Sequence, residues 1–365
     1  MPADELQQPL NPAGPATNGP QAHARMDRSS STFRTLITAL SKLRKGGHYK
    51  GGEGVLNIVR IRESGRSCTG HPGSKYWFYS LCAIRGRPLP IMPMLIYIAY
   101  CVLVVELLIH KVPGYGDIIE LKALIVPVQT LGLSLFLLLA FRTNSSYDRW
   151  WEGRKLWDGI ASKSQDLGRM AVGWVAPKDK QLASEIIRWS IAFPVVAKSV
   201  LRGHGDLSEL VSILPAHEIA ALTKMGNRQS MVALKLTRLI QKASVHLTPA
   251  ITNSMDNSVR GLLADVNSCM RIFQTSIPLA YIVHLRAFLV LWLGLLPFIF
   301  VSSMRHWAIL VCAVIGYELL GFEDIGVEIE APFGVDYNDL PLDQITSDLF
   351  TSLLEYLDEL NQDED

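Results

Sequence analysis

The sequence offers little to an enzyme. It has five cysteines in 365 residues, Cys68, Cys82, Cys101, Cys269 and Cys312, and no two form a CxxC pair, so neither a disulfide framework nor a zinc site is supported. Cys68 and His71 have a ligand-like spacing, but a lone pair in a Gly/Ser-rich stretch does not make a metal site. HExxH, GxSxG and a Gly-rich phosphate loop are all missing. No catalytic constellation is therefore expected, and nothing calls for a nucleic acid. Large apolar residues are almost missing from residues 1–31, which are rich in Pro, Ala, Gly, Gln and Ser and are expected to be disordered. The same stretch lacks an apolar core of signal-peptide length, and Asp4 and Glu5 argue against an acidic-poor transit peptide without excluding one. Lysine and arginine are missing from Glu318 to Asp365, where 15 Asp/Glu occur, whereas residues 1–88 hold 13 Lys/Arg against 5 Asp/Glu. Ends of opposite charge either attract each other, within or between subunits, or are separately solvated tails.

What is present is hydrocarbon. Hydrophobic residues make up 49% of the chain and charged residues only 19%, more apolar than a typical soluble domain. Runs long enough to cross a bilayer, about 20 residues for a helix, come in two clusters. Leu89 to Ile109 and Ala123 to Phe141 form the first; the short loop between them carries Pro113, Gly114 and Gly116, so the two are expected to form a hairpin. The second runs from Ile277 to Leu320 and is divided by Arg305 and His306 into Ala287–Met304 and Trp307–Leu320, with Glu318 inside the latter; His284 and Arg286 mark its near boundary. Between the clusters, residues 142–276 hold 18 Lys/Arg and 11 Asp/Glu, with helical periodicity in Leu182–Leu201 and Met231–Leu247. That segment is too polar for lipid and too long for a loop. The pattern predicts an all-α integral membrane protein with four membrane-crossing helices and a helical cytosolic domain. The expected order is a disordered tail (1–31), an amphipathic and basic region (32–88), a first membrane pair (89–141), the cytosolic domain (142–276), a second membrane pair (277–320) and an acidic segment (321–365). Phe33–Leu43, edged by Arg34, Lys42, Arg44 and Lys45, suits a helix on the membrane surface or one docked on the cytosolic domain. Because the hairpin loop carries only Lys111 and Lys122, the N-terminus, middle domain and C-terminus are placed on the cytosol-like side.

The second apolar run continues without a break signal into the polar stretch ending at Trp157, predicting one helix that leaves the membrane and enters the cytosolic domain. At i, i+4 and i+8 one stripe reads Leu133, Leu137, Phe141, then Ser145 and Arg149. Around a symmetry axis it would form an apolar constriction able to gate by dewetting, followed by a hydroxyl ring and a positive ring. Alternatively, the three apolar residues simply pack against a neighbouring helix or lipid.

Two motifs carry a resemblance. FRTNSSYDRWWEGRKLW (Phe141 to Trp157) resembles the signature after the pore helix of bacterial, fungal and plant bestrophin-like proteins, and EDIGVEIEAPFGVDYNDLPLD (Glu323 to Asp343) resembles that family's acidic segment. Together with the apolar clusters the likeness spans roughly residues 75–360. It implies a funnel-shaped homopentamer embedded in the bilayer, conducting chloride and other monovalent anions passively through a central pore lined by the second membrane helix. Counted back from Arg149, Trp150 and Trp151, the family's neck positions fall on Leu133, Leu137 and Phe141, with Ser145 and the signature residues below them in the vestibule. No cofactor is required, and chloride is the permeant ion. Animal bestrophins also hold calcium in a clasp, whose positions fall on Glu328, Asp336 and Asp339 with a backbone carbonyl from Ala331. Here Val335, Tyr337 and Asn338 interrupt the acidic run, and the alternative expectation is that these carboxylates pair with Arg or Lys of a neighbouring subunit.

Other charged positions have plainer readings. Glu152 with Lys155, and Arg154 with Asp158, fit a salt-bridged helix face. Glu106 is an ionisable group at membrane depth, or a hydrated one beside His110 and Lys111. Besides a channel, the sequence admits a membrane scaffold whose pore is closed and whose cytosolic domain recruits partners. Plasma membrane, plastid (thylakoid) membrane and other organelle membranes all fit.

Overall fold

The computed structural model describes residues 90–112, 125–203, 207–336 and 338–362. The expectations for residues 1–88, including Phe33–Leu43 and the Cys68–His71 pair, and for the loop at 113–124 lie outside them. Among the described residues the fold is all-helical, with no strand. The helices are α1 (Ile91–Lys111), α2 (Ile125–Met170), α3 (Lys180–Leu201), α4 (Ala216–Lys224), α5 (Arg228–Ala243), α6 (Pro249–Gln274), α7 (Leu279–Met304), α8 (Trp307–Glu328) and α9 (Leu342–Gln362).

Three of these are long and apolar enough to cross a membrane: α1, α2 with the π-helical turn that follows it, and α7. α8 is apolar over its first half, but Glu318, Glu323 and Asp324 enter its second. Around them forms one apolar cluster of Tyr97 and Cys101 from α1, Val128, Leu135 and Leu139 from α2, Leu285 to Ile299 from α7, and Cys312 and Leu319 from α8. Close approach is set by small residues: a Cβ at Gly316 would lie 2.5 Å from the Tyr97 ring, so α1 and α8 meet where α8 has no side chain. Backbone carbonyls inside the apolar layer accept from aromatic donors, Tyr97 Oη to Leu293 (3.2 Å), Tyr100 Oη to Gly294 (2.8 Å) and Trp292 Nε1 to Val128 (2.8 Å). The expected α1–α2 hairpin is not a face-to-face pair, because α1 packs chiefly on α8 and α7. The α7–α8 break falls where Arg305 and His306 predicted it, with Arg305 in a left-handed turn at φ 49°. His284 and Arg286, expected at a boundary, sit one to two turns inside α7.

In the extramembrane bundle the periodic stretches are helices as expected, α3 capped by the Asp179 carboxylate on the Leu182 N–H (2.9 Å) and α5 by Asn227 on the Ser230 N–H (3.2 Å). α3 is buried along most of its length and packs against α2, α5 and α9. α2 joins the two halves. From Val128 to Leu167 its buried residues, Val128, Leu135, Leu139, Arg142, Ser146, Gly153, Trp157, Ile160, Ser164 and Leu167, follow steps of three, four and seven, a heptad-like stripe that keeps to one face, and Gly168 and Met170 are buried beyond it. α2 is thereby fixed to α7 and α8 in the apolar layer and to α6, α3 and α9 beyond it.

Candidate functional site

The opposite face of α2 is left uncovered. Leu133, Leu137 and Phe141 are 73%, 53% and 59% exposed, values that set them apart from Leu135 and Leu139 on the same helix, and Ser145 is exposed below them. Gln129, Thr130 and Ser134 share this open side. The contrast with its neighbours is chemical: the exposed positions of α1 from Ile91 to Leu107, and of α7 from Ala287 to Leu295, are all apolar or aromatic. Polar side chains on the exposed face of a membrane helix belong toward protein or water, not lipid. Thr130 and Ser134 donate their hydroxyls to the carbonyls of Val126 (3.0 Å) and Thr130 (3.3 Å), which leaves hydroxyl lone pairs on the open side.

Arg149 does not continue this stripe. Each residue turns a helix by about 100°, so every four-residue step overshoots by about 40°, and four steps from Leu133 carry Arg149 about 160° around the axis. There its guanidinium meets the carbonyls that end α6, donating from Nη2 to Ile272 (2.7 Å) and Nη1 to Thr275 (2.6 Å), and from Nε to the Glu330 carbonyl (3.2 Å). A helix C-terminus offers unsatisfied carbonyls and negative dipole to a cation. The predicted positive ring at Arg149 is therefore corrected: the side chain is a structural tie. Trp150 is half-buried, stacks between Tyr147 (6.2 Å) and Trp151 (6.4 Å), and donates its indole N–H to the Asn338 carbonyl (3.0 Å). Trp151 is exposed, and Trp157 is core. Arg154 pairs with Asp158 as predicted, whereas Glu152 pairs with Arg271 of α6 (2.7 Å) and not with Lys155. Glu106 is half-buried and bridges His110 Nε2 and His306 Nδ1, each at 3.1 Å, tying α1 to the α7–α8 turn.

No sequence pattern singles out Arg142 as a buried residue. It is 2% exposed, although it follows the exposed Phe141, and its Nη1 donates to Glu323 Oε1 at 2.6 Å. The same oxygen accepts from Arg286 Nε of α7 at 2.7 Å, and Glu330 Oε2 lies 4.0 Å from Arg142 Nη2. Glu330 Oε1 accepts the Ile277 N–H (3.0 Å). The only local signal was the FR step itself, since both carboxylate partners lie more than 180 residues away in sequence.

The acidic segment finds basic partners within its own chain. Asp343 lies 3.0 Å from Lys198 Nζ and 2.8 Å from Arg202 Nη1. Burial works to raise its carboxyl, but the two cations hold it below the usual range. The clasp positions are differently arranged. Asp339 Oδ2 accepts the Asp336 N–H at 2.7 Å, its Oδ1 is buried without a partner, and Ala331 is exposed. Burial, with Asp336 and Glu328 nearby, pushes the Asp339 carboxyl up to about 6. Among the described residues no group of three or more His, Cys, Asp or Glu is arranged to hold a metal ion. Asp339 is thereby turned onto its own loop through Oδ2.

The sequence matches the family described as Bacterial/Fungal Bestrophin protein over residues 71–355. The chain belongs to that family. Among curated proteins, this bestrophin is 36% identical over 278 residues to a voltage-dependent anion channel-forming protein of Nostoc sp., covering 74% of this chain and 88% of that one. It is 35% identical over 246 residues to one of Synechocystis sp., covering 66% and 78%. A crystal structure of a bacterial bestrophin homologue from Klebsiella pneumoniae has the same fold, with a TM-score of 0.66 over 73% of this chain and 97% of that one at 24% identity.

Proposed function

We propose that this bestrophin assembles as a homopentamer around α2 and conducts chloride and other monovalent anions passively, with Leu133, Leu137 and Phe141 forming the apolar neck of the pore. The observation that carries this reading is the uncovered face of α2, the membrane helix whose exposed side mixes an apolar stripe with Gln129, Thr130 and Ser134. A lipid-facing helix has no use for such polarity, whereas a water-filled conduit does. Family membership and relatives named as anion channel-forming proteins support the same conclusion. On this reading four helices cross: α1, the first half of α2, α7 and the first half of α8, whose acidic second half continues past the membrane boundary.

The chemistry asked of the protein is modest. Residues 142–276, with 18 Lys/Arg against 11 Asp/Glu, draw anions toward the cytosolic entrance. At the neck an anion sheds part of its hydration beside apolar side chains, and the positive ring edge of Phe141 offers partial compensation. No group has to react, and no proton has to move. The test is planar-bilayer recording of the purified protein under a KCl gradient, wild type against Phe141→Ala. A reversal potential near that of chloride, with selectivity or conductance altered by the substitution, bears the reading out. Silence from intact assemblies at every voltage, with and without calcium, would favour a scaffold whose pore is closed.

A further inference from the structure

We propose that Glu323 is a positioning residue for anion selection: by holding buried Arg142 it fixes the rotation of α2 and so the aim of the neck. This rests on the pore reading above. Arg142 follows Phe141 directly, so about 100° of helix separates a side chain on the open face from one on the packed face. Whatever fixes the azimuth of Arg142 fixes that of Phe141.

The packed stripe holds α2 along its length, and at the level of Phe141 one polar tie adds to it. Within the apolar layer α2 is held by packing and by bonds from Trp292 and Tyr281 to its backbone carbonyls, at Val128 (2.8 Å) and Leu138 (3.1 Å). Those bonds set depth more than rotation, because a neighbouring carbonyl is presented every few residues. At the level of Phe141 the tie is a side-chain ion pair on the packed face, between a guanidinium that is 2% exposed and a carboxylate on α8. α8 runs alongside α2 there: a Cβ at Gly326 would meet Thr143 Oγ1 at 3.6 Å and Arg142 Nε at 3.9 Å, ordinary contact distances. Arg142 Nε has no partner, so nothing else of short range would hold the cation if Glu323 left; Glu330, at 4.0 Å and already accepting the Ile277 N–H, is the next nearest. A buried cation deprived of its partner is driven toward water or another charge. Reaching the water on the open side of α2 requires the helix to turn.

Glu323 Oε1 also binds Arg286, a half-exposed residue of α7. The one carboxylate oxygen therefore joins the pore helix, α7 and α8. The two arms are unequal: the buried Arg142 cannot exchange its partner for water, whereas Arg286 can. The structure thus assigns the selective role to the Arg142 arm.

The experiment measures iodide-to-chloride permeability ratios from reversal potentials of the full-length purified protein in planar bilayers. Phe141→Ala is the reference for a disturbed neck. Glu323→Gln, which keeps size and removes charge, should shift the ratio in the same direction as Phe141→Ala. Glu323→Asp, which keeps the charge, should bring it back toward wild type. Arg286→Gln should leave it unchanged. If Phe141→Ala shifts the ratio while Glu323→Gln retains the wild-type value, the positioning role is overturned and the neck stands. If Phe141→Ala itself changes nothing, the neck reading falls and this inference with it. Should Glu323→Gln fail to assemble, the pair Arg142→Met with Glu323→Leu removes both charges together; an assembled channel of wild-type ratio would overturn the proposal, and an altered ratio would support it.

Discussion

Leu135 and Leu137 are two residues apart on α2, of identical chemistry, and point to opposite sides, which makes them a controlled pair. Leu135 is fully buried in the apolar cluster with Leu289 and Leu293 of α7, and truncating a side chain so enclosed to alanine costs about 2–5 kcal/mol. Leu137 is 53% exposed, has no enclosing shell in its protomer, and its truncation should cost no more than about 0.5 kcal/mol. For conduction the ranking inverts. Leu135→Ala removes packing behind the helix and leaves the open face chemically unchanged. Leu137→Ala deletes a ring of side chains, repeated once per subunit, at the narrowest part of the proposed path, and should favour large anions.

The assay is therefore twofold: thermal unfolding of the detergent-purified protein, and reversal potentials in paired salts of a small and a large anion. Leu135→Ala should lower the melting temperature by several degrees with permeability ratios unchanged. Leu137→Ala should leave the melting temperature close to wild type and raise the relative permeability of the larger anion. If Leu137→Ala destabilises as much as Leu135→Ala and leaves the ratio unmoved, the open face of α2 is a packing surface between helices, and the pore assignment is wrong.

Other substitutions test the frame around the site. Asp339→Asn keeps an acceptor for the Asp336 N–H and removes a carboxylate whose pKa is raised to about 6 by burial; because a raised acid costs stability when ionised, the variant should be more stable than wild type by roughly 1–2 kcal/mol at pH 7.5, after discounting for partial exposure, with the gain fading as pH falls from about 6 toward 4. A calcium-dependent rise in melting temperature that Asp339→Asn abolishes would instead reveal a clasp that forms on binding. Lys198 is buried among Glu209 (2.8 Å), Asp343 (3.0 Å) and Thr346 (3.3 Å), so Lys198→Met should cost about 3–5 kcal/mol, part of it recovered by adding Asp343→Asn, as a double-mutant cycle in urea would measure. Gly132→Ala would set a Cβ 2.6 Å from the Trp292 ring and displace the indole that donates to Val128; overpacking of about 1–3 kcal/mol follows, relieved by Trp292→Leu in a thermal-shift comparison.

How much of this could be read from the chain varied with the range of the interaction. The continuity of α2 was legible because no proline interrupts the run from Phe141 to Trp157, where Gly153 is a lone glycine, and the α7–α8 break because Arg305 and His306 interrupt hydrocarbon. Both are local facts. The apolar part of the stripe was legible for the same reason, and its error at Arg149 was also local: an i+4 rule holds for two steps and fails at four. Arg142 was different in kind. A charged residue at the foot of a membrane helix looks like an interfacial cation, and its burial depends on Glu323 and Glu330, neither of which periodicity can join to it. The pairing of Asp343 with Lys198 and Arg202 was hidden likewise, so the acidic end, which suggested a partner in another subunit, is matched in part at home.

These two kinds of information meet on α2. Its buried stripe runs with heptad regularity from Val128 in the apolar layer to Leu167 in the extramembrane bundle, so one rigid rod is fixed at both ends by packing. A helix held so firmly along one face cannot bend independently on the other, and a change in its rotation at one level must appear along its whole length. The polar ties at the boundary, Arg142 to Glu323 and Arg149 to the end of α6, lie between the two packed halves, where apolar packing gives way to hydrogen bonding. On the pore reading, a rotation imposed on the extramembrane bundle would reach Phe141 through the rod itself, resisted by the packed stripe and by these boundary ties together.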